Sequence, residues 1–279
     1  MDEPRRVMSI MAHQDDFEFT AGGTVAGWHR RLGEALEVTV LTTTRGAFGH
    51  HEMSPEDTFF TRREENRKAA AIIGAEYRCL TGLDGAHLPG QVFIDRNTLG
   101  GLWNAIREVE PHVILCPPVV SDPRAGTHID HFHTAEAVRL VAYLLGVPHA
   151  FPTTGGPVKG RVVRPLVVNV DDSYAQPEDW DVAVDVSPDY GTKVEMALCM
   201  TSQIFQWLPW DGGMEPPDEA TWRGCFRDRH TRANTRRGFE DDVPREFFRF
   251  TNWGRPYTPE DAEWLFPGAQ VNPEVFGQG

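Results

Sequence analysis

The sequence predicts the α/β class, with a doubly wound and mostly parallel sheet. Three observations carry this expectation. Short apolar runs alternate with amphipathic segments through the first half of the chain, and two clusters of histidine and aspartate each follow one of those runs directly. From Pro148 onward the alternation gives way to short β-branched runs punctuated by proline and glycine. Alternation of this kind predicts parallel strands, right-handed crossovers and helices on both faces, a Rossmann-like arrangement with a C-terminal β/α extension capping the site.

Taken in order, Val7 to Met11 reads as a buried strand and Thr20 to Arg31 as a helix weakened by glycines. A strand follows at Leu36 to Thr43, a helix at about Thr58 to Ile73, a strand at Tyr77 to Leu80 and a helix at about Asn97 to Val109. The apolar run at Val113 to Cys116 is the next strand, and an amphipathic helix runs from about Asp130 to Leu145. Beyond Pro148, strands are expected within Arg161 to Val170 and Asp181 to Val186. A helix is expected from about Pro188 to Gln206, with Ser187 as its N-cap. The tail from Trp207, rich in Trp, Pro, Phe and Arg, is expected to cover the sheet edge and the mouth of the site, with Trp207, Trp210, Trp222 and Trp253 as packing residues. The pattern has no internal repeat and reads as one domain over 1–279, with a core at about 1–150 and an elaborated part at about 151–279.

Composition narrows the partners. A chain of 279 residues with 40% hydrophobic and 24% charged content can bury one substantial core. Its formal net charge of -14 argues against nucleic acid or an anionic membrane surface, which would select a basic stripe. A small molecule fits better. Cys79, Cys116, Cys199 and Cys225 lack Cys-x-x-Cys spacing and read as reduced thiols. The charged start, Met1-Asp-Glu-Pro-Arg-Arg, precedes only a short apolar run, so neither a signal peptide nor a membrane span is expected and the protein is expected to be cytoplasmic. An isologous homo-oligomer is the base-rate expectation.

The chemistry lies in the two polar clusters. Met11-Ala-His-Gln-Asp-Asp-Phe-Glu18 sets one imidazole and two adjacent carboxylates after the first strand, and a helical turn there would put His13 and Asp16 on one face. Taken alone, that segment also reads as a helix cap. Gly126-Thr-His-Ile-Asp-His-Phe-His133 follows the strand at Val113 to Cys116 and again spaces two histidines, His128 and His131, at i, i+3. Open α/β sheets gather such strand ends at one edge. His13, Asp16 and one histidine of the second cluster then offer two nitrogens and an oxygen, the open ligand set of a catalytic zinc site, which Fe(II) also accepts. Water takes the fourth position, Asp15 stands beside it as general base, and the remaining histidine can steady an oxyanion with Asp130 orienting it.

Other residues stay open. Arg62 and Asp84 are candidates for sugar hydroxyls or a phosphate, and Arg62 equally suits an intrahelical ion pair with Glu65. His50 and His51 suit a lid, a second metal site or solvated surface, and His133 a helix surface.

The residues resemble the PIG-L/LmbE-like family of zinc-dependent N-deacetylases, whose motifs are His-Pro-Asp-Asp-x-Glu after the first strand and His-x-Asp-His later. Here they read His13-Gln-Asp-Asp-Phe-Glu18 and His128-Ile-Asp-His131. Weaker likenesses occur in order at Thr43 to Gly46, Arg62 to Glu65 with Ala69 to Gly74, Leu83 to Gly85, Asp185 to Ser187, Lys193 and Ser202-Gln203. The resemblance implies His13, Asp16 and His131 as metal ligands, Asp15 as general base and His128 as the residue stabilising the transition state. It departs from the family at Gln14, in place of proline, at Ala47, where many members have glutamate, and at Gly126, where some have tyrosine. The implied activity is removal of an N-acyl group, acetyl above all, from an amino-sugar-like small molecule. Alternatives are an amidase acting on a thiol conjugate or non-sugar amide, and a two-metal phosphoesterase using Asp130 with His50 or His51. A metal-binding module without catalysis is a further alternative.

Overall fold

The computed structural model describes residues 4–88, 90–120, 126–154, 156–158, 160–171 and 179–272. Its sheet grows from β1 (Arg5–Met11), whose Val7 to Met11 are all buried. Strands β1, β2 (Leu36–Thr42), β3 (Glu76–Cys79), β4 (Val113–Cys116) and β5 (Leu166–Val170) run parallel in the order β3-β2-β1-β4-β5. The sheet continues antiparallel through β6 (Val182–Asp185), β7 (Arg245–Phe250) and β8 (Gln270–Val271), in the order β5-β7-β6-β8.

Helices cover both faces, as the doubly wound pattern requires. They are α1 (Asp16–Thr20), α2 (Gly22–Leu32), α3 (Pro55–Ile72), α4 (Arg96–Val109), α5 (Ile129–Leu144), α6 (Tyr190–Leu198), α7 (Leu208–Asp211), α8 (Glu219–Arg236) and α9 (Pro259–Leu265). Alternate strand side chains feed the two cores. Val7 and Met11 of β1 pack with Trp28, Met196 and Phe226 on one face, while Met8 and Ile10 pack with Trp103, Ile106 and Val141 on the other. Burial on both faces explains why these strands read as unbroken apolar runs. Chain order reverses between β1 and β4, and the crevice beyond their carboxyl ends is where such sheets hold ligands.

Several boundaries differ from the sequence reading, each for a physical reason. The first helix is split at Ala21 because the Glu246 carboxylate, on β7, accepts from the N–H groups of Gly23 (2.9 Å) and Thr24 (2.8 Å) and so starts α2 afresh. Helix α3 begins at Pro55 because Ser54 caps it, accepting from the Asp57 N–H. The helix expected over 188–206 ends at Leu198 and resumes as a π turn at Gln203–Trp207. Between them the Ser202 N–H and hydroxyl donate to Glu65 at 2.8 and 2.6 Å. Ser187 does not act as the N-cap; its N–H donates to Asp185 inside a short 3₁₀ turn.

The largest correction concerns the tail. Besides covering the sheet edge with β8, it inserts β7 between β5 and β6. Trp222 and Phe226 of α8 enter the core, whereas Trp210 remains 55% exposed.

Candidate metal centre

The chain leaves β1 at Met11 and turns directly into α1, so His13 to Asp16 stand at the carboxyl edge of the sheet. Asp16 folds back on this turn, accepting from the His13 N–H at 2.8 Å. The second cluster enters from β4, with His128 as the N-cap of α5 and Asp130 and His131 in its first turn. The topology therefore brings together two clusters more than a hundred residues apart: His13 Nδ1 lies 3.2 Å from His131 Nε2.

Asp16 closes the group, with Oδ1 3.5 Å from His131 Nε2 and Oδ2 3.8 Å from His13 Nδ1. Ligand atoms bound at zinc distances on tetrahedral corners stand roughly 3.4 Å apart, close to these separations, with a different Asp16 oxygen facing each imidazole. A wider set is formed by the imidazoles of His13, His128 and His131, whose ligand atoms all lie within 4.8 Å of one another. The donor types and spacing of either set suit a divalent ion. The tighter one includes the Asp16 carboxylate.

Asp130 is buried and carries two contacts, accepting from the Val92 N–H at 2.7 Å and lying 3.1 Å from His13 Nε2. Its nearest approach to His128 Nδ1 is 3.8 Å, so the carboxylate serves His13 more closely than the partner expected from sequence. Burial works to raise the Asp130 pKa, but the hydrogen bond and charge of His13 outweigh it and hold the group below its ordinary value. His128 Nδ1 accepts from the Asp130 N–H, which leaves Nε2 as the protonated nitrogen of the neutral ring. Burial, and then the neighbouring His13, push the His128 pKa down.

Asp15 is buried beside the ligand cluster at φ 157°, a strained conformation that costs about 1–3 kcal/mol. Arg62 holds this turn from below. Its guanidinium donates to the Gln14 carbonyl at 3.0 Å and the Gly46 carbonyl at 3.3 Å, and reaches Asp15 Oδ1 at 3.4 Å. Burial pushes the Asp15 carboxyl up to about 6, against the opposing charge of Arg62. Gly46 is required here, since it adopts φ 62° and a Cβ would stand 2.1 Å from Gln14 Oε1. Gln14, the residue in the motif's proline position, is wholly buried, and its Nε2 donates to Thr42 Oγ1, the Thr44 carbonyl and the Tyr77 hydroxyl.

One cleft of about 280 Å³ is lined by His13, Asp15, Asp16, Arg62, His128, Asp130 and His131. Seven of the eight residues singled out from sequence therefore converge. Arg62, however, is only 3% exposed and makes no ion pair with Glu65, whose carboxylate holds Ser202 and Thr201 instead. Asp84 does not line the cleft: its carboxylate accepts from the Ala86 N–H and from Asn97, closing an exposed turn. His50 and His51 also lie outside the lining. His50 Nε2 meets Gln206 Oε1 at 2.8 Å, while His51 stacks on Trp210 with ring centroids 4.7 Å apart. His133 meets the Val92 carbonyl.

The tail reaches the mouth of the cleft as expected, with Trp207, Leu208 and Arg229 in its lining, whereas sequence reasoning missed Phe19 and Phe48. It also missed Glu246, which anchors the floor through a buried 2.6 Å ion pair with Lys193. No local pattern marks these residues: Phe19 and Phe48 are single aromatics in α1 and in the loop after β2, and Glu246 meets Lys193 only through the placement of β7.

A doubly wound α/β sheet with a histidine and carboxylate cluster at its switch point defines an α/β protein built around a metal-ligating site. Residues 8–142 match the PIG-L family model, described as GlcNAc-PI de-N-acetylase. Over 195 residues the chain is 28% identical to the 1D-myo-inositol 2-acetamido-2-deoxy-alpha-D-glucopyranoside deacetylase of Kineococcus radiotolerans, covering 59% of this chain and 52% of that one. The chain spans about half the length of the curated relatives it matches. Among solved structures, the N,N'-diacetylchitobiose deacetylase of Pyrococcus horikoshii superposes with a TM-score of 0.65 at 17% identity, covering 89% of this chain and 84% of that one. GalB, the 4-carboxy-2-hydroxymuconate hydratase of Pseudomonas putida KT2440, superposes with a TM-score of 0.60 at 22% identity, covering 91% and 98%. These likenesses establish the fold. No described helix is long and apolar enough to cross a membrane.

Proposed function

We propose that this protein is a metal-dependent hydrolase that removes an N-acyl group, acetyl in the first instance, from an amino-sugar-like small molecule. The observation that carries this reading is the triangle of His13 Nδ1, His131 Nε2 and the Asp16 carboxylate, with Asp15 in the adjoining turn. The family match and the amino-sugar substrates named for the curated relatives support it. We assign zinc from the two-imidazole, one-carboxylate donor set, which Fe(II) also fits. When bound, the ion supplies Lewis acidity to a carbonyl oxygen and acidifies water beside it.

The protein's own groups do the rest. Asp15 takes a proton from the attacking water as its oxygen bonds to the acyl carbon, and the Arg62 guanidinium keeps the carboxylate aimed. His128, protonated on Nε2, donates to the oxyanion that develops, a contact whose loss typically costs about 2.7–4 kcal/mol of barrier. As the C–N bond breaks, the leaving nitrogen takes the proton that Asp15 accepted. Asp130 orients the His13 ring and fixes which nitrogen faces the cluster.

The four free thiols suit a cytoplasmic setting. The joining of β5 to β8 with the parallel strands suits one domain across the chain. The test is acetate release from N-acetylglucosamine conjugates, with metal removed by chelator and then restored, in wild type and in Asp15→Asn. Activity should vanish with the metal and fall about 10²–10⁴-fold in the variant. Full activity in metal-free protein or in Asp15→Asn rejects the mechanism.

A further inference from the structure

Among the described residues two cations line the cleft, and they differ in how they are engaged. The Arg62 guanidinium is buried and bonded to Gln14, Gly46 and Asp15. Arg229, on α8, is partly buried; its guanidinium carbon lies 5.6 Å from the Phe19 ring centroid, and among the described residues it makes no hydrogen bond or ion pair.

The acids around Arg229 are already occupied. Within the cleft, Asp15 meets Arg62, Asp16 meets the His13 N–H, and Asp130 meets Val92 and His13. In the small pocket adjoining Arg229, Asp171 accepts from Arg237 at 2.8 Å. Glu246 there accepts from Lys193 and from two backbone N–H groups. Among the described residues, no carboxylate or carbonyl satisfies this guanidinium.

Its position is nevertheless fixed. Phe226 and His230, on either side of Arg229 along α8, are buried, and Phe226 packs on Phe19 with ring centroids 5.5 Å apart. The helix thus anchors a planar, permanently charged fork beside the same space that holds the imidazole cluster, on a surface that flanks a ring face. Since no described acceptor bonds this half-buried cation, an anion entering the cleft would gain a charge-assisted partner there.

We propose that Arg229 recognises an anion, and that the amine-bearing part of the substrate carries a carboxylate or phosphate group which this guanidinium binds. The inference rests on the deacylase reading for its substrate but on Arg229 for its site. It makes Arg229 a specificity residue: the acyl group enters the imidazole cluster, and the charged end of the same molecule reaches α8.

The test uses metal-loaded protein and three N-acetylglucosamine glycosides of one linker length, ending in a hydroxyl, a carboxylate or a phosphate. Wild type should favour a charged end over the hydroxyl, and whichever anion is preferred identifies the group. In Arg229→Gln the ratio of kcat/KM for the charged to the neutral glycoside should fall roughly 10- to 100-fold, with Arg229→Lys intermediate. Because the ratio is read within one preparation, partial loss of folded protein cancels. An unchanged ratio in Arg229→Gln overturns the inference. Should wild type hydrolyse none of the three, the deacylase reading fails and binding decides the rest, read as the rise in Tm with the phosphate glycoside. A rise in wild type that Arg229→Gln loses sustains the anion site; equal rises, or none, reject it.

Discussion

Asp130 Oδ2 stands 3.1 Å from His13 Nε2, and the opposite nitrogen of that ring faces His131. The carboxylate, imidazole and ligand cluster thus lie in series, an arrangement that fixes ring orientation and raises the basicity of the nitrogen offered to an ion. Asp130→Asn should therefore weaken zinc binding about 10–100-fold, read by competition with a chelator. Unchanged zinc affinity with a reduced kcat would instead assign Asp130 to His128.

Gln14 ties the turn after β1 to the ends of β2 and β3 through three acceptors. Gln14→Ala removes the buried donor from all three and should cost about 1–3 kcal/mol in urea unfolding with an unchanged m-value. A loss below a few tenths of a kcal/mol would mean that these contacts do not hold the turn.

The Lys193–Glu246 pair is wholly buried. Lys193→Met leaves an uncompensated carboxylate and should destabilise the fold by about 3–5 kcal/mol. The double variant Lys193→Met/Glu246→Gln should recover part of this, because a neutral glutamine removes the buried charge and its oxygen keeps one of the two backbone bonds, to Gly23 or Thr24. Chemical unfolding of the three proteins checks both statements, and equal stability of the single and double variants rejects the account.

His230 supplies a pH dependence. Burial, and then the charge of Lys193, push its pKa down from 6.5 to about 3, and its Nδ1–H donates to the Arg245 carbonyl. The unfolded chain thus binds the proton first. The contribution of neutral His230 is complete above pH 6.5 and is lost as pH falls from there towards 3. Unfolding free energy measured from pH 7.5 down to 4.5 should decline more steeply in wild type than in His230→Phe. Parallel curves would show that His230 carries none of the slope.

The parallel half of the fold was legible because its strands are buried on both faces and its helices are amphipathic. Its boundaries blurred where distant side chains decide them. Glu246 starts α2 from 222 residues along the chain, and Glu65 interrupts the helix after α6. The convergence of the two histidine and aspartate clusters was legible because each half sits at the end of a strand. Asp84 stands outside the cleft lining because Leu-Asp-Gly makes a plain turn, closed by its hydrogen bonds with Ala86 and Asn97. Arg229 gave no signal, being one of many arginines in a polar helix; only the sheet order carries it to the cleft.

The insertion of β7 between β5 and β6 bears on how the chain is made. As synthesis proceeds, β5 emerges with one ladder unpaired, and its neighbour on that side arrives only when Phe248 to Phe250 have been added. Until then the nascent sheet exposes an apolar edge that can pair with other chains, while Gly23 and Thr24 await the carboxylate that will terminate them. The histidine and carboxylate cluster is therefore made well before the strand that closes the sheet beside β5, so its surroundings are completed only when β7 has been added.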